Sequence, residues 1–156
     1  MPFNKLINYL NERGVRYVFI KHAPAFTAQE VAASAHIPGK KMVKTVIINV
    51  DGEMKMMVLP STHHVDFDLI KETLGAGHVE LASEEEFEDK FPDCEVGAMP
   101  PFGNLYDMET LVAEPLTLEE EIAFNACTHK DLIKMDYRDY EDLVKPRIIR
   151  ASAQMA

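Results

Sequence analysis

The chain has 156 residues, 47% of them hydrophobic and 27% charged, which is enough apolar surface for one domain with its own core. With 16 basic residues against 26 acidic ones the net charge is −10, which excludes a broad basic surface that coats duplex nucleic acid or anionic lipid. Met1-Pro2-Phe3-Asn4-Lys5 does not resemble a secretory leader and no run reaches spanning length. The expectation is a soluble cytoplasmic protein, a single domain over 1–156 with its core at about 5–144 and a tail at 147–156.

Phe3, Leu6, Ile7 and Leu10 recur at helical spacing and Gly14 offers a left-handed stop, so the first element is a short amphipathic helix. Val15 to His22 is β-branched and aromatic, a strand closed by Ala23-Pro24. Thr27 and Glu30 have capping-box spacing and predict a helix to about Ala35. Two apolar runs around Asp51-Gly52, Val46 to Val50 and Met54 to Pro60, predict a β-hairpin. Met54, Met56 and Met57 within it read as core filling rather than a thioether site. Asp66 caps a helix from Phe67 to Leu74, Val79 to Ala82 is a short strand, and Ser83 with Glu86 caps a helix towards Phe91. Further strands are expected at Thr110 to Ala113, Glu121 to Cys127 and Asp131 to Met135, then a helix from Tyr137 to Val144 and a tail with no readable pattern. Strands that arrive singly and as hairpins between short helices predict an α+β fold, a mixed, largely antiparallel sheet flanked by short helices.

Most chemical signals in the sequence have simpler explanations. Cys94 and Cys127 lack metal-ligand spacing and are expected as reduced thiols. His63, His64, Asp66 and Asp68 include metal-ligand types, but adjacent histidines on an extended segment point apart and the aspartates serve a helix start. Cys127-Thr128-His129 lacks an evident orienting group for a thiol nucleophile, and no phosphate-loop or dinucleotide fingerprint occurs. No cofactor or metal is expected.

Two features remain. Gly97-Ala98-Met99-Pro100-Pro101-Phe102-Gly103 is a rigid loop in which glycines permit close approach and prolines fix φ. Lys44-Thr45 opens an apolar strand, where a lysine must snorkel or find a ligand, and Lys40 and Lys41 add a local basic cluster. A lysine beside bare amides suits a carbonyl that gains negative charge during attack by water. Activated ester hydrolysis needs little more, because a substrate hydroxyl can orient the water.

His22-Ala23-Pro24 with Thr27 and Glu30, then Gly39, Lys44-Thr45, Leu59-Pro60, Leu81-Ala82-Ser83-Glu84-Glu85, the Gly97 to Gly103 loop and a closing Asp-Leu resemble the YbaK/EbsC family, also called ProX or prolyl-tRNA synthetase-associated domains. The resemblance spans roughly Lys5 to Val144. It implies an editing domain that hydrolyses mischarged aminoacyl-tRNA, with Lys44 as the lysine needed for deacylation and Gly97 placing the scissile carbonyl. It further implies substrate contacts from Tyr17, His22, Phe26, Thr45, Pro100, Pro101, Phe102, Gly103, Asn125 and His129, with Lys40 and Lys41 on the terminal phosphates of the acceptor end. His129 matches a histidine that shapes the amino-acid pocket in alanine-editing relatives, and Asn125-Ala126-Cys127 departs from the small-residue pattern of other members. The implied partners are a mischarged aminoacyl-tRNA held weakly at its acceptor end and an aminoacyl-tRNA synthetase, with neither membrane nor DNA. The alternatives are a non-catalytic module that binds a nucleotide, an acceptor end or a synthetase, and a metal-dependent hydrolase built on His63, His64 and Asp66.

Overall fold

The computed structural model describes residues 4–21, 32–33 and 37–154. Helix α1 (Asn4–Glu12) buries Leu6 and Leu10 and ends at Gly14, whose φ of 68° is the left-handed stop the sequence requires. Strand β1 (Tyr17–Lys21) follows. The helix expected from Thr27 lies outside the described residues.

β2 (Val43–Val50) and β3 (Glu53–Pro60) form the predicted hairpin, in register from Val43–Pro60 to Val50–Glu53. Asp51 and Gly52 both have positive φ, 50° and 83°, the backbone that a two-residue hairpin with native twist demands. The Asp51 carboxylate also accepts from the backbone N–H of Gly77 and His78, tying the turn to the approach of β5 (Val79–Leu81). A short strand β4 (His63–Val65) leads to α2 (Phe67–Leu74), capped by Asp66, which accepts from Leu69 N at 3.0 Å. Ser83 and Glu86 form the capping box of α3 (Glu84–Phe87). The remaining turn to Lys90 tightens to a 3₁₀ helix.

β6 (Thr110–Ala113), β7 (Glu121–Asn125), β8 (Asp131–Asp136) and α4 (Tyr137–Val144) occur where the sequence places them. The tail adds β9 (Arg147–Ile149) and β10 (Ser152–Gln154), for which the sequence offered no pattern because three residues carry no periodicity. The expected α+β architecture with mixed sheets is what the chain adopts: a five-stranded sheet ordered β5-β2-β3-β6-β9, antiparallel in its first half and parallel at β3–β6–β9, and an antiparallel sheet ordered β1-β8-β7. β4 and β10 form a separate pair.

Alternation on β2 and β3 divides the core. Val43, Ile47, Met56 and Val58 join a cluster that includes Leu6, Leu10, Phe102, Phe124 and Tyr140. Ile48, Met57 and Leu59 face a second cluster with Ile70, Leu111 and Ile149. Met56 and Met57 are fully buried on opposite faces, as core filling requires. No helix among the described residues is long and apolar enough to cross a membrane.

Candidate functional site

Among the described residues one parallel bridge, Met42 to Ala123, joins the two main sheets, with Ala123 N donating to Lys41 O at 2.9 Å. Beyond that point β2 pairs with β3 and β5 while β7 pairs with β8, so the strands part. Met42 and Ala123 pack together in a small cluster with Ala32 and Leu132. By the two-residue period, Lys44 and Asn125 are the next residues on that face of each strand, one on either side of the opening. Thr45 belongs to the other face, with Val43 and Ile47.

Both residues are under-satisfied. Lys44 is half-buried, and burial lowers its pKa. No carboxylate pairs with it among the described residues. Its positive charge also lowers the pKa of His63, after burial and His64. The buried Oδ1 of Asn125 accepts no hydrogen bond among the described residues, a defect that costs about 1–3 kcal/mol unless a ligand donates to it.

The Gly97 loop closes onto the far end of β7. Cys127 N donates to Ala98 O at 2.9 Å and Glu95 N donates to Cys127 O at 2.8 Å. These bonds bring the Cα atoms of Cys94 and Cys127 to 4.1 Å, and the two residues form a disulfide. The expectation of reduced thiols is corrected here: the pairing comes from a contact between segments 33 residues apart, which spacing could not reveal.

Within the loop the seven residues divide sharply. Gly97 is exposed with φ of 88°, whereas Ala98 through Gly103 are buried. Pro101 O accepts from Tyr140 Oη at 2.6 Å, and Phe102 packs edge-on against Phe124 and Tyr140. Gly103 donates to Thr110 Oγ1, and a Cβ there would collide with Thr110 Oγ1 and Met108 O. Pro100, Pro101, Phe102 and Gly103, expected to contact substrate, are therefore engaged in packing, and Gly97 is the loop's accessible backbone.

His129 stands over Gly97, with Nε2 3.4 Å from where a Gly97 Cβ would be. Glu95 Oε1 accepts from His129 N at 2.7 Å and meets His129 Nδ1 at 3.1 Å. Glu95 is the residue sequence reading missed. It is 34 positions from the histidine, and nothing local marks the pair.

The other expected residues are more dispersed. Tyr17 Oη donates to Asn11 Oδ1 at 2.9 Å beside the first core cluster. Lys40 is exposed in the turn before β2, and Lys41 lines a hollow of about 130 Å³ with Pro38, Ala123 and Lys134. His22 and Phe26 lie outside the described residues. His63 Nδ1 is 2.9 Å from Ser152 Oγ, and Asp66 is occupied as a helix cap, so the residues of the metal reading are separately employed. Hollows of about 550 Å³ border Thr117–Glu120 and Val15–Val18, away from Lys44 and Gly97.

The pattern of the aminoacyl-tRNA editing domain family matches residues 22–143, a stretch that holds Lys44, Gly97, Asn125 and His129. The chain belongs to that family. Among curated proteins it is similar to proline–tRNA ligases of Bacillus mycoides (strain KBAB4) and Bacillus cereus (strain AH187), each 34% identical over 83 residues. That alignment covers 53% of this chain and 14% of each ligase. Among solved structures, a hypothetical protein superposes with a TM-score of 0.85 at 20% identity, over 96% of this chain and 100% of that one. A candidate trans-editing enzyme for prolyl tRNA synthetase superposes at 0.81 and 17% identity, over 97% of each chain. At these identities the two structures establish the shared fold alone. The editing-domain fold thus places the diverging β2 and β7 strands, Lys44 and the Gly97 loop within one family unit.

Proposed function

We propose that this editing domain is an aminoacyl-tRNA deacylase that clears a mischarged amino acid by water attack on its ester. The observation that carries the reading is Lys44, a half-buried cation without a carboxylate partner among the described residues, in a chain that also presents the exposed backbone of Gly97. A desolvated ammonium is stabilised by an incoming anion, and a terminal nucleotide of an acceptor end supplies one. The amide of an exposed glycine at positive φ suits a carbonyl oxygen that gains charge in the transition state. Lys40 and Lys41 would extend the phosphate contact along the turn before β2, consistent with weak, local tRNA binding by a net-acidic chain. The candidate trans-editing enzyme of similar fold agrees with action on a tRNA charged elsewhere, and the ligase similarity makes prolyl-tRNA synthetase the partner to test first. The cytoplasm, where charged tRNA is used, is the compartment this function requires. Single-turnover deacylation of a panel of mischarged tRNAs by wild type and Lys44→Ala tests the reading: lysine-dependent hydrolysis of at least one pairing is expected.

A further inference from the structure

We infer that Asn125 selects the amino acid of the substrate, its side-chain oxygen accepting a hydrogen bond from an N–H or O–H donor on that amino acid; the inference rests on the deacylase reading. Among the described residues three buried side-chain oxygens find no partner: Asn125 Oδ1, Asp131 Oδ1 and Tyr137 Oη. Asp131 is held through its other oxygen by Thr128 Oγ1 at 2.6 Å, and Tyr137 lies on α4 at the hollow beside Thr117–Glu120. Asn125 is the one that register sets opposite Lys44, two residues past the parallel Met42–Ala123 bridge on each strand. Its surroundings offer it nothing. Asparagine is depleted in strands, yet this one follows Ile122, Ala123 and Phe124, all buried. Its cross-strand partner Leu132 is fully buried and apolar, with no donor to give, and Lys44 does not donate to it. An acceptor placed there weakens the fold relative to an apolar side chain, unless a ligand completes it.

An aminoacyl ester brings two kinds of donor to such an oxygen. One is the α-amino group that every aminoacyl ester carries; the other is the side-chain hydroxyl that only some carry. Both are attached close to the ester carbonyl, so a group that meets either one contacts the amino acid while Lys44, on the facing strand, meets the nucleotide. The two strands thereby divide the substrate between them. A ligand without the donor leaves Oδ1 buried and unpaired, and a polar site rejects such a ligand far more strongly than an apolar pocket rejects a missing methylene. Asn125 thus discriminates by chemistry as well as by size.

The test is single-turnover deacylation of seryl, alanyl and N-acetylalanyl esters of one tRNA by wild type and Asn125→Ala. Where the donor is the hydroxyl, the ratio of seryl to alanyl rate falls by about ten- to a hundredfold in Asn125→Ala. Where it is the amino group, the seryl and alanyl rates fall together by that factor, while the N-acetylalanyl ester, already slow with wild type, is unaffected. Either result supports the assignment and names the donor. Equal rates for wild type and Asn125→Ala on all three esters overturn it while leaving the deacylase, and so does slowing of all three alike, which marks a structural change. Urea unfolding without ligand adds a readout independent of turnover. Asn125→Leu, close in volume and without the acceptor, is expected to unfold at a urea concentration no lower than wild type; a lower midpoint gives the oxygen a structural role and overturns the inference. Absence of turnover by wild type on every pairing overturns the deacylase reading and the inference with it.

Discussion

Gly97 joins conformation to chemistry at the scale of one residue. Its φ of 88° is open to glycine at little cost, whereas an L side chain there costs roughly 1–2 kcal/mol. A Cβ would also stand 3.4 Å from His129 Nε2, in the space the substrate carbonyl is proposed to use. Gly97→Ala is therefore expected to stay folded with a lowered melting temperature and to lose about a hundredfold in deacylation, read by unfolding and single-turnover assays side by side. Lys44 was legible in the sequence because a lysine inside Val43-Lys44-Thr45-Val46-Ile47-Ile48 violates the pattern of a buried strand. The Glu95–His129 contact was not legible, because it joins segments distant in the chain. The same holds for the Cys94–Cys127 bond, which replaces the expected free thiols.

Among the elements, α3 is set by its start. The Glu86 carboxylate accepts from Ser83 N and from Asn49 Nδ2 while Glu86 N donates to Ser83 Oγ, and the Ser83 backbone hydrogen bond leads the causes that lower the Glu86 pKa. A carboxyl lowered in the folded state contributes stability fully above its ordinary value near 4.5 and loses it as pH falls through the lower folded value. Glu86→Gln should accordingly flatten the acid limb of stability in that window and leave the slope near neutrality unchanged, as urea unfolding at a series of pH values would show. The Gly97–Gly103 loop gives a second test. Because the missing Cβ of Gly103 is replaced by contact with Met108 O and Thr110 Oγ1, Gly103→Ala should destabilise by about 1–3 kcal/mol. An unchanged denaturation midpoint would show that the loop is free to shift. Sequence reading took this whole loop as ligand-facing, since Pro and Gly mark rigid exposed turns and buried packing glycines alike; Tyr140 and Thr110, which decide between them, come from other elements. The hairpin, α1 and α2 were readable because each carries its own cap or turn residues, and α4, which has no side-chain cap, because Pro146 follows it, while β4, β9 and β10 exist only through tertiary pairing.

For the whole molecule, the topology makes the site by parting two sheets after one bridge at Met42 and Ala123. The divergence leaves a buried amide of Asn125 and a half-buried Lys44 on one face, with Gly97 and His129 at the end of β7. Composition had already limited how such a site could hold RNA. At a net charge of −10, binding should rest on a few lysines, so log K against log salt should have a shallow slope of about −1 to −3 for one to three neutralised phosphates. Replacing both Lys40 and Lys41 by Gln should reduce that slope and weaken tRNA binding while the ester hydrolysis of bound substrate continues; filter binding across salt concentrations would reveal a steep slope if the contact were broad.

The account stands most directly on Lys44. Single-turnover deacylation of Ala, Ser, Thr and Cys esters on tRNAs for Pro, Ala and others, with wild type and Lys44→Ala compared on each, is the measurement that reaches it. Hydrolysis of one or more pairings that falls to the uncatalysed rate in Lys44→Ala is predicted. Equal hydrolysis by both proteins, or none above the uncatalysed rate by wild type on any pairing, would contradict it.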